Sequence, residues 1–353
     1  MKVLNHHSTH TTGAIYMQYT TWADGRQVIQ SADILHDETR TGRTVPWHSH
    51  KANSMALSYP VEEIDPAAAF RMRRCADRLS FTKDADGHMK LRQAYFCRVR
   101  LCPMCQWRRS LKMHGQVRQC IEYLAANRQR AGHKPYQYIL LTLTVPNCNG
   151  EALGRTLDLI QESWKRLQRR TEYKAAIKGS VRCVEITYNR KANTYHPHIH
   201  ALLAVNPSYF TGRTYVTHDR WLQIWRECTG DPTITQVDVR KTTGDAAAVA
   251  EVTKYATKAS DVLKPGDVQR NREVVGTLLR YCHKRRFAGW GGVLRKAHQA
   301  LQLDDVENGD LVNTDNAPSA SAAAAALWSW DWFVGPRLYI AAQKGATNAQ
   351  ATP

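Results

Sequence analysis

Apolar positions along this chain fall into short strand-like runs separated by helical stripes. Tyr138 to Val145 is a run of strand formers closed by Pro146 and predicts a strand. In Glu151 to Arg170, Leu153, Leu157, Ile160, Trp164 and Leu167 recur at helical spacing. They predict an amphipathic helix with Lys165, Arg166, Arg169 and Arg170 at its end. Upstream, Trp107, Leu111, Ile121 and Leu124 mark a helix stopped near Gly132. Val181 to Tyr188 and His198 to Val205 predict two strands joined by a polar loop, Asn189 to Tyr195. Downstream the pattern predicts a helix over Asp219 to Glu227, a strand over Ile234 to Val239 and a helix over Ala246 to Ser260. A further helix, Val274 to Tyr281, runs into a basic, Gly-rich stretch, Lys284 to Gly292. Antiparallel strands interrupted by helices indicate an α+β core rather than a parallel βαβ array.

Before about residue 65 the chain is rich in His, Thr, Ser and Asp without sustained periodicity, and reads as a poorly ordered leader. After Gln302 it turns acidic, then Ala/Ser-rich, then Trp-rich around Trp328, Trp330 and Trp332. The length, 353 residues, allows one large domain or two to three modest ones.

Charge narrows the function. The formal charge is +18 and the pI about 9.6, which points to a polyanionic partner, nucleic acid first. The positive residues cluster at Arg71 to Arg78, Arg98 to Arg109, Lys165 to Arg170 and His283 to Arg286. No signal peptide is expected, and the weakly apolar run Ala322 to Trp328 is far too short to span a bilayer, so no membrane partner is expected. Nine cysteines, four of them in a metal-like cluster, fit a reducing cytoplasm better than a disulfide framework.

The chemistry starts at His196-Pro-His-Ile-His200. In an extended strand His196, His198 and His200 line one face. Pro197 suits a strand's first residue, which starts the strand proper at His198. If the loop after Tyr188 closes a symmetric hairpin, Glu185 lies opposite His198 with Cβ atoms about 5 Å apart. One Glu and two His with open positions suit Mg²⁺ or Mn²⁺ holding a phosphate oxygen, and do not exclude Zn²⁺. His196 is a further ligand candidate, less well placed before Pro197.

On the helix Ala246 to Ser260, Glu251, Tyr255 and Lys258 share one side. A tyrosine is a poor nucleophile unless a metal or cation favours its phenolate. Lys258 can hold a phosphate or the phenolate, and Glu251 can activate a water at the same phosphorus. Separately, Cys97-x4-Cys102-x2-Cys105 with Cys75 upstream supplies four thiolates, the number a structural Zn²⁺ takes; His88 or His114 could replace Cys75. Arg98, Arg100, Arg108 and Arg109 around these cysteines, together with Lys254, are candidate DNA-phosphate contacts.

Thr142-Leu-Thr144, His196-Pro-His-Ile-His200 and Glu251-Val-Thr-Lys-Tyr-Ala-Thr-Lys258 occur in this order. They resemble the three motifs of plasmid rolling-circle replication initiators, within the HUH endonuclease superfamily. Phe96 to Ser110, Glu185-Ile-Thr-Tyr-Asn189 and Asp304-Asp-Val-Glu-Asn-Gly-Asp310 match as well, and the resemblance covers about residues 70 to 312. It implies a cytoplasmic bacterial nickase acting at a plasmid double-strand origin. Tyr255 would form a 5′-phosphotyrosine and free a 3′-hydroxyl primer, with His198 and His200 as metal ligands. Glu251 would serve the terminating hydrolysis of the single-tyrosine branch. The implied partners are origin DNA, single-stranded DNA and a host helicase, with a homodimer left open.

The expected layout is a leader at 1–65, a four-cysteine zinc-binding module at 66–115, an HUH endonuclease domain at 116–300 and a C-terminal extension at 301–353. A single-tyrosine HUH transposase and a zinc-containing DNA-binding protein without catalysis are the other two readings.

Overall fold

The computed structural model describes residues 34–38, 44–83, 88–254, 259–314 and 327–343. Among these, the first elements are helices α1 (Trp47–Glu62) and α2 (Pro66–Arg73), strands β1 (Arg78–Lys83) and β2 (Met89–Ala94), and the long helix α3 (Pro103–Arg130). Strand β3 (Gln137–Thr144) leads to α4 (Leu153–Arg169) and α5 (Thr171–Ala176), then to the hairpin β4 (Ile177–Asn189) and β5 (Thr194–Val205). There follow α6 (His218–Thr229), β6 (Val237–Thr242), α7 (Ala246–Val252), α8 (Ala259–Val262), α9 (Val268–Cys282), β7 (Ala288–Gly291), α10 (Gly292–Ala300), β8 (Leu327–Phe333) and β9 (Leu338–Gln343). The class is α+β, with antiparallel sheets flanked by helices. No helix of the described residues is long and apolar enough to cross a membrane.

The chain divides into two compact units. One comprises Met1–Ala52, Ala76–Tyr95 and Ser319–Pro353; the other comprises Asn53–Cys75 and Phe96–Pro318. The first unit holds a four-stranded antiparallel sheet of order β2-β1-β8-β9. The Trp-rich segment that reads only as a composition bias is strand β8: Trp330 lies opposite Leu79 and packs edge-on to Phe81, which meets Trp47 in the same way.

The second unit is built on a five-stranded antiparallel sheet of order β6-β3-β5-β4-β7. Its central strand β5 is buried almost throughout, as a strand covered on both faces must be. On one face Leu140, Val181, Leu202 and Ala204 pack against Met113 and Val117 of α3, Val249 and Val252 of α7 and Leu294 and Ala297 of α10. On the other face Arg182 stacks on Trp164 of α4, which packs with α6. Gly292, at φ +55°, starts α10 against β4, where a Cβ would stand 2.1 Å from the carbonyl of Lys178; only glycine fits there.

Three expectations change. Residues 47–62, read as part of a poorly ordered leader, form α1, which lacks amphipathic periodicity and so gave no helical signal. Strand β5 starts at Thr194, so Pro197 lies inside it; the missing donor is tolerated because the β3 ladder has already ended at the pair Thr144–His198. The helix predicted over Ala246 to Ser260 stops at Val252. Thr253 caps it, its hydroxyl turned back on the carbonyls of Val249 and Ala250, while the Ser110 hydroxyl donates to the Thr253 carbonyl at 2.5 Å.

Candidate metal centres and the family of the chain

The β4–β5 hairpin has the symmetric register, with Glu185 opposite His198 and Cys183 opposite His200. Period-two alternation then directs Glu185, His198 and His200 to the same face, just past the rows that pack under α7. Glu185 Oε2 lies 3.1 Å from His198 Nε2 and 3.0 Å from His200 Nε2, and all three side chains are buried. Burial pushes the Glu185 carboxyl up, but hydrogen bonds and charge from His198 and His200 outweigh it and hold the group well below the usual carboxylate range.

The far nitrogens of both rings are also occupied. His198 Nδ1 lies 3.1 Å from the His196 carbonyl, and His200 Nδ1 lies 3.2 Å from Thr142 Oγ1 and 3.6 Å from Glu251 Oε1. A partner on Nδ1 fixes the ring and leaves Nε2 to face a metal. One carboxylate oxygen and two imidazole nitrogens converging this way can hold a divalent ion. The His196 ring stacks beside His198 at 5.2 Å but is not among the converging ligands. Sequence reasoning gave no role to Thr142; its signal is the register that pairs it with His200.

Glu251 sits in the last turn of α7, at the margin of this cluster, where its Oε1 pairs with the Lys254 ammonium. Lys254, expected at DNA, therefore holds the carboxylate beside His200. Tyr255 and Lys258 lie outside the described residues.

The second cluster gathers Cys75, Cys97, Cys102 and Cys105, all buried and all unbridged. Cys105 Sγ stands 3.6 Å from the sulfurs of both Cys75 and Cys97, far beyond a disulfide and close to the ~3.8 Å between tetrahedral zinc ligands at Zn–S distances of about 2.3 Å. Backbone N–H groups of Cys97 and Arg98 donate to the sulfurs of Cys75 and Cys105, and Ser54 Oγ lies 3.3 Å from Cys102 Sγ. Burial pushes the Cys75 and Cys97 thiols well up, while hydrogen bonds from the neighbouring thiols and Ser54 outweigh burial and pull Cys102 well down. The sulfurs can hold a metal ion, and neither His88 nor His114 belongs to the set.

The four arginines around the cysteines turn onto the acidic segment that follows α10. Arg100 pairs with Glu307 at 2.5 Å, and Arg98 donates to the Asn308 carbonyl. Arg109 donates to the Glu307 carbonyl, and buried Arg108 donates to the carbonyls of Leu311 and Val312. Lys112 completes the lock with Asp304. A basic run that reads as a phosphate contact is thus engaged from within the unit.

Residues 88–340 match the family described as Replication protein. "Protein rep" of Streptococcus pneumoniae serotype 2 (strain D39 / NCTC 7466) is 37% identical over 289 residues, covering 80% of this chain and 87% of that protein. "Protein rep" of Bacillus amyloliquefaciens is 36% identical over 335 residues, covering 87% of this chain and 97% of that protein. "Protein rep" of Lactiplantibacillus plantarum is 32% identical over 292 residues, covering 80% and 90%. No solved structure matches the chain. Matched over most of its length, and over most of these relatives' length, the chain belongs to the Rep family of plasmid replication initiators.

Proposed function

We propose that this initiator is a metal-dependent, site-specific DNA nickase and strand-joining enzyme with an HUH endonuclease core, starting rolling-circle replication at a plasmid double-strand origin. The observation that carries the reading is the convergence of Glu185 Oε2 with His198 Nε2 and His200 Nε2, 3.0 to 3.1 Å between partners, with Glu251 Oε1 3.6 Å from the other nitrogen of His200.

Glu185, His198 and His200 would hold the ion, and the Nδ1 partners of the two rings would fix their orientation. Bound there, Mg²⁺ or Mn²⁺ would draw charge off the scissile phosphate and favour a phenolate. The Tyr255 oxygen attacks the phosphorus and the P–O3′ bond breaks. The phenolic proton passes to water, and the departing oxygen takes one up to become the 3′-hydroxyl primer. The 5′ end stays on the protein as a phosphotyrosine, which the reverse attack rejoins. Lys258 steadies the phosphate. Glu251 serves as base toward the water that ends a cycle.

Cys75, Cys97, Cys102 and Cys105 would hold a structural Zn²⁺, and the module around them, about 66–115, precedes the endonuclease domain at about 116–300. Origin DNA, single-stranded DNA and a host helicase are the partners. Incubation with origin oligonucleotides and Mn²⁺ or Mg²⁺ tests the reading: a protein–DNA adduct on a denaturing gel is expected, and its absence on every origin segment would overturn it.

A further inference from the structure

A cleft of about 750 Å³ opens where the end of α4, α5 and the loop before α6 meet. Four arginines line it: Arg169, Arg170, Arg213 and Arg220. Two are fixed by carboxylates, Arg170 to Glu227 at 2.5 Å and Arg220 to Glu172 and Glu227. The other two are exposed, and no carboxylate of the described residues lies within ion-pair reach of either. Glu172 is the one acid among the lining residues, and with Glu227 it engages Arg170 and Arg220, so Arg169 and Arg213 carry the unpaired positive charge of the cleft.

The loop wall adds an aromatic platform. Tyr215 is 50% exposed, although its ring stands 5.4 Å from Tyr209 and 6.4 Å from Phe210. Tyr209 is buried, and its hydroxyl accepts from the Val216 amide at 3.1 Å, which sets the loop's shape. Lys241 caps the Phe210 ring at 4.7 Å. A half-exposed ring packed on Tyr209 and Phe210, in one cleft with two unpaired arginines, is a stacking surface for bases beside a track for phosphates, the combination by which proteins hold single strands. Duplex bases hide their faces, so the ring would be idle against a duplex.

The cleft stands apart from the metal-ligand cluster. It belongs to the α4 and α6 face of the sheet, whereas Glu185, His198 and His200 lie on the α7 face. It also adjoins the strand ends where Ile177 pairs with Val205, and Val205 is about 17 Å along β5 from His200 at ~3.3 Å per residue.

We infer that this cleft is a second nucleic-acid site, which binds single-stranded DNA through Arg169 and Arg213 on phosphates and Tyr215 on a base. The inference rests on the cleft and on membership of the initiator family, and not on Tyr255 as nucleophile.

Binding of a fluorescent oligothymidylate to the full chain, without added divalent ion, tests it over about 50 to 200 mM salt. Arg169→Ala with Arg213→Ala should lower the slope of log affinity against log salt by about 1.4, at about 0.7 per phosphate contact. Arg118→Ala with Arg128→Ala, the same loss of two charges on α3, should leave the slope unchanged. Tyr215→Ala should weaken binding about tenfold with little change of slope. Independently, a 5-bromodeoxyuridine strand should photocrosslink to Tyr215 in the unaltered protein. Slopes equal to the wild type in the double variant, crosslinks that avoid the 209–216 loop, or a loss confined to duplex DNA would each overturn the inference.

Discussion

The two ligand clusters of the second unit are equally buried yet differently built. Four sulfurs face one another, with backbone N–H groups and a serine hydroxyl turned onto them. Glu185, His198 and His200 supply three donors, and beside them stand a carboxylate and an ammonium, Glu251 and Lys254, that are not part of the set. A closed tetrahedral set stabilises a fold; a three-ligand set with vacant positions leaves room for a substrate oxygen. Donor number and surroundings, rather than burial, distinguish the two clusters.

Breaking the closed cluster should have the largest effect. Cys102→Ser should lose its bound zinc and several kcal/mol of stability, because metal binding is folding free energy there. Metal analysis of the wild type should find about one zinc per chain, and thermal unfolding should show the loss. A variant with unaltered unfolding and zinc content would make the cysteines ordinary core residues. Removing a donor from the open cluster should leave the fold and abolish the reaction. His198→Ala and His200→Ala should each cut nicking by more than the about 10- to 100-fold typical of losing an outer partner, with partial rescue by added Mn²⁺. Undiminished nicking by either variant under a strong chelator would remove the metal from the mechanism.

How far each region is legible in the sequence follows from the range of its interactions. The Glu185–His198–His200 face is legible because period-two histidines and a symmetric hairpin fix Glu185 against His198 locally. The end of α7 is not, since it is set by Ser110, 143 residues earlier in the chain, taking the Thr253 carbonyl. Nor is the fate of Arg98, Arg100, Arg108 and Arg109, whose partners lie some two hundred residues on in Glu307 to Val312. Strand β7 is short and half glycine, the period-two Trp328, Trp330 and Trp332 of β8 take their partner strand β1 from the other end of the chain, and α1 lacks a helical stripe. Nonlocal pairing supplies all of these.

Two finer substitutions sharpen the contrast within the open cluster. Glu251→Ala should nick at near-normal rate but fail to terminate, by about 10²- to 10⁴-fold, leaving multimeric strands. Unit-length circles from this variant would reduce Glu251 to a partner of Lys254 and His200. Thr142→Val, which removes the oxygen 3.2 Å from His200 Nδ1, should weaken metal affinity about 10- to 100-fold while the metal-free protein unfolds near its normal temperature. Wild-type metal titration would show that Thr142 does not orient the ring.

The central claim is that the open cluster serves a tyrosine nucleophile, and peptide mapping of the covalent adduct tests it most directly. Protein reacted with a cleavable origin strand and Mn²⁺ should carry its 5′-phosphodiester on the peptide containing Tyr255. Tyr255→Phe should bind the same strand and form no adduct. An adduct on any other residue, or one that persists in Tyr255→Phe, would contradict the account.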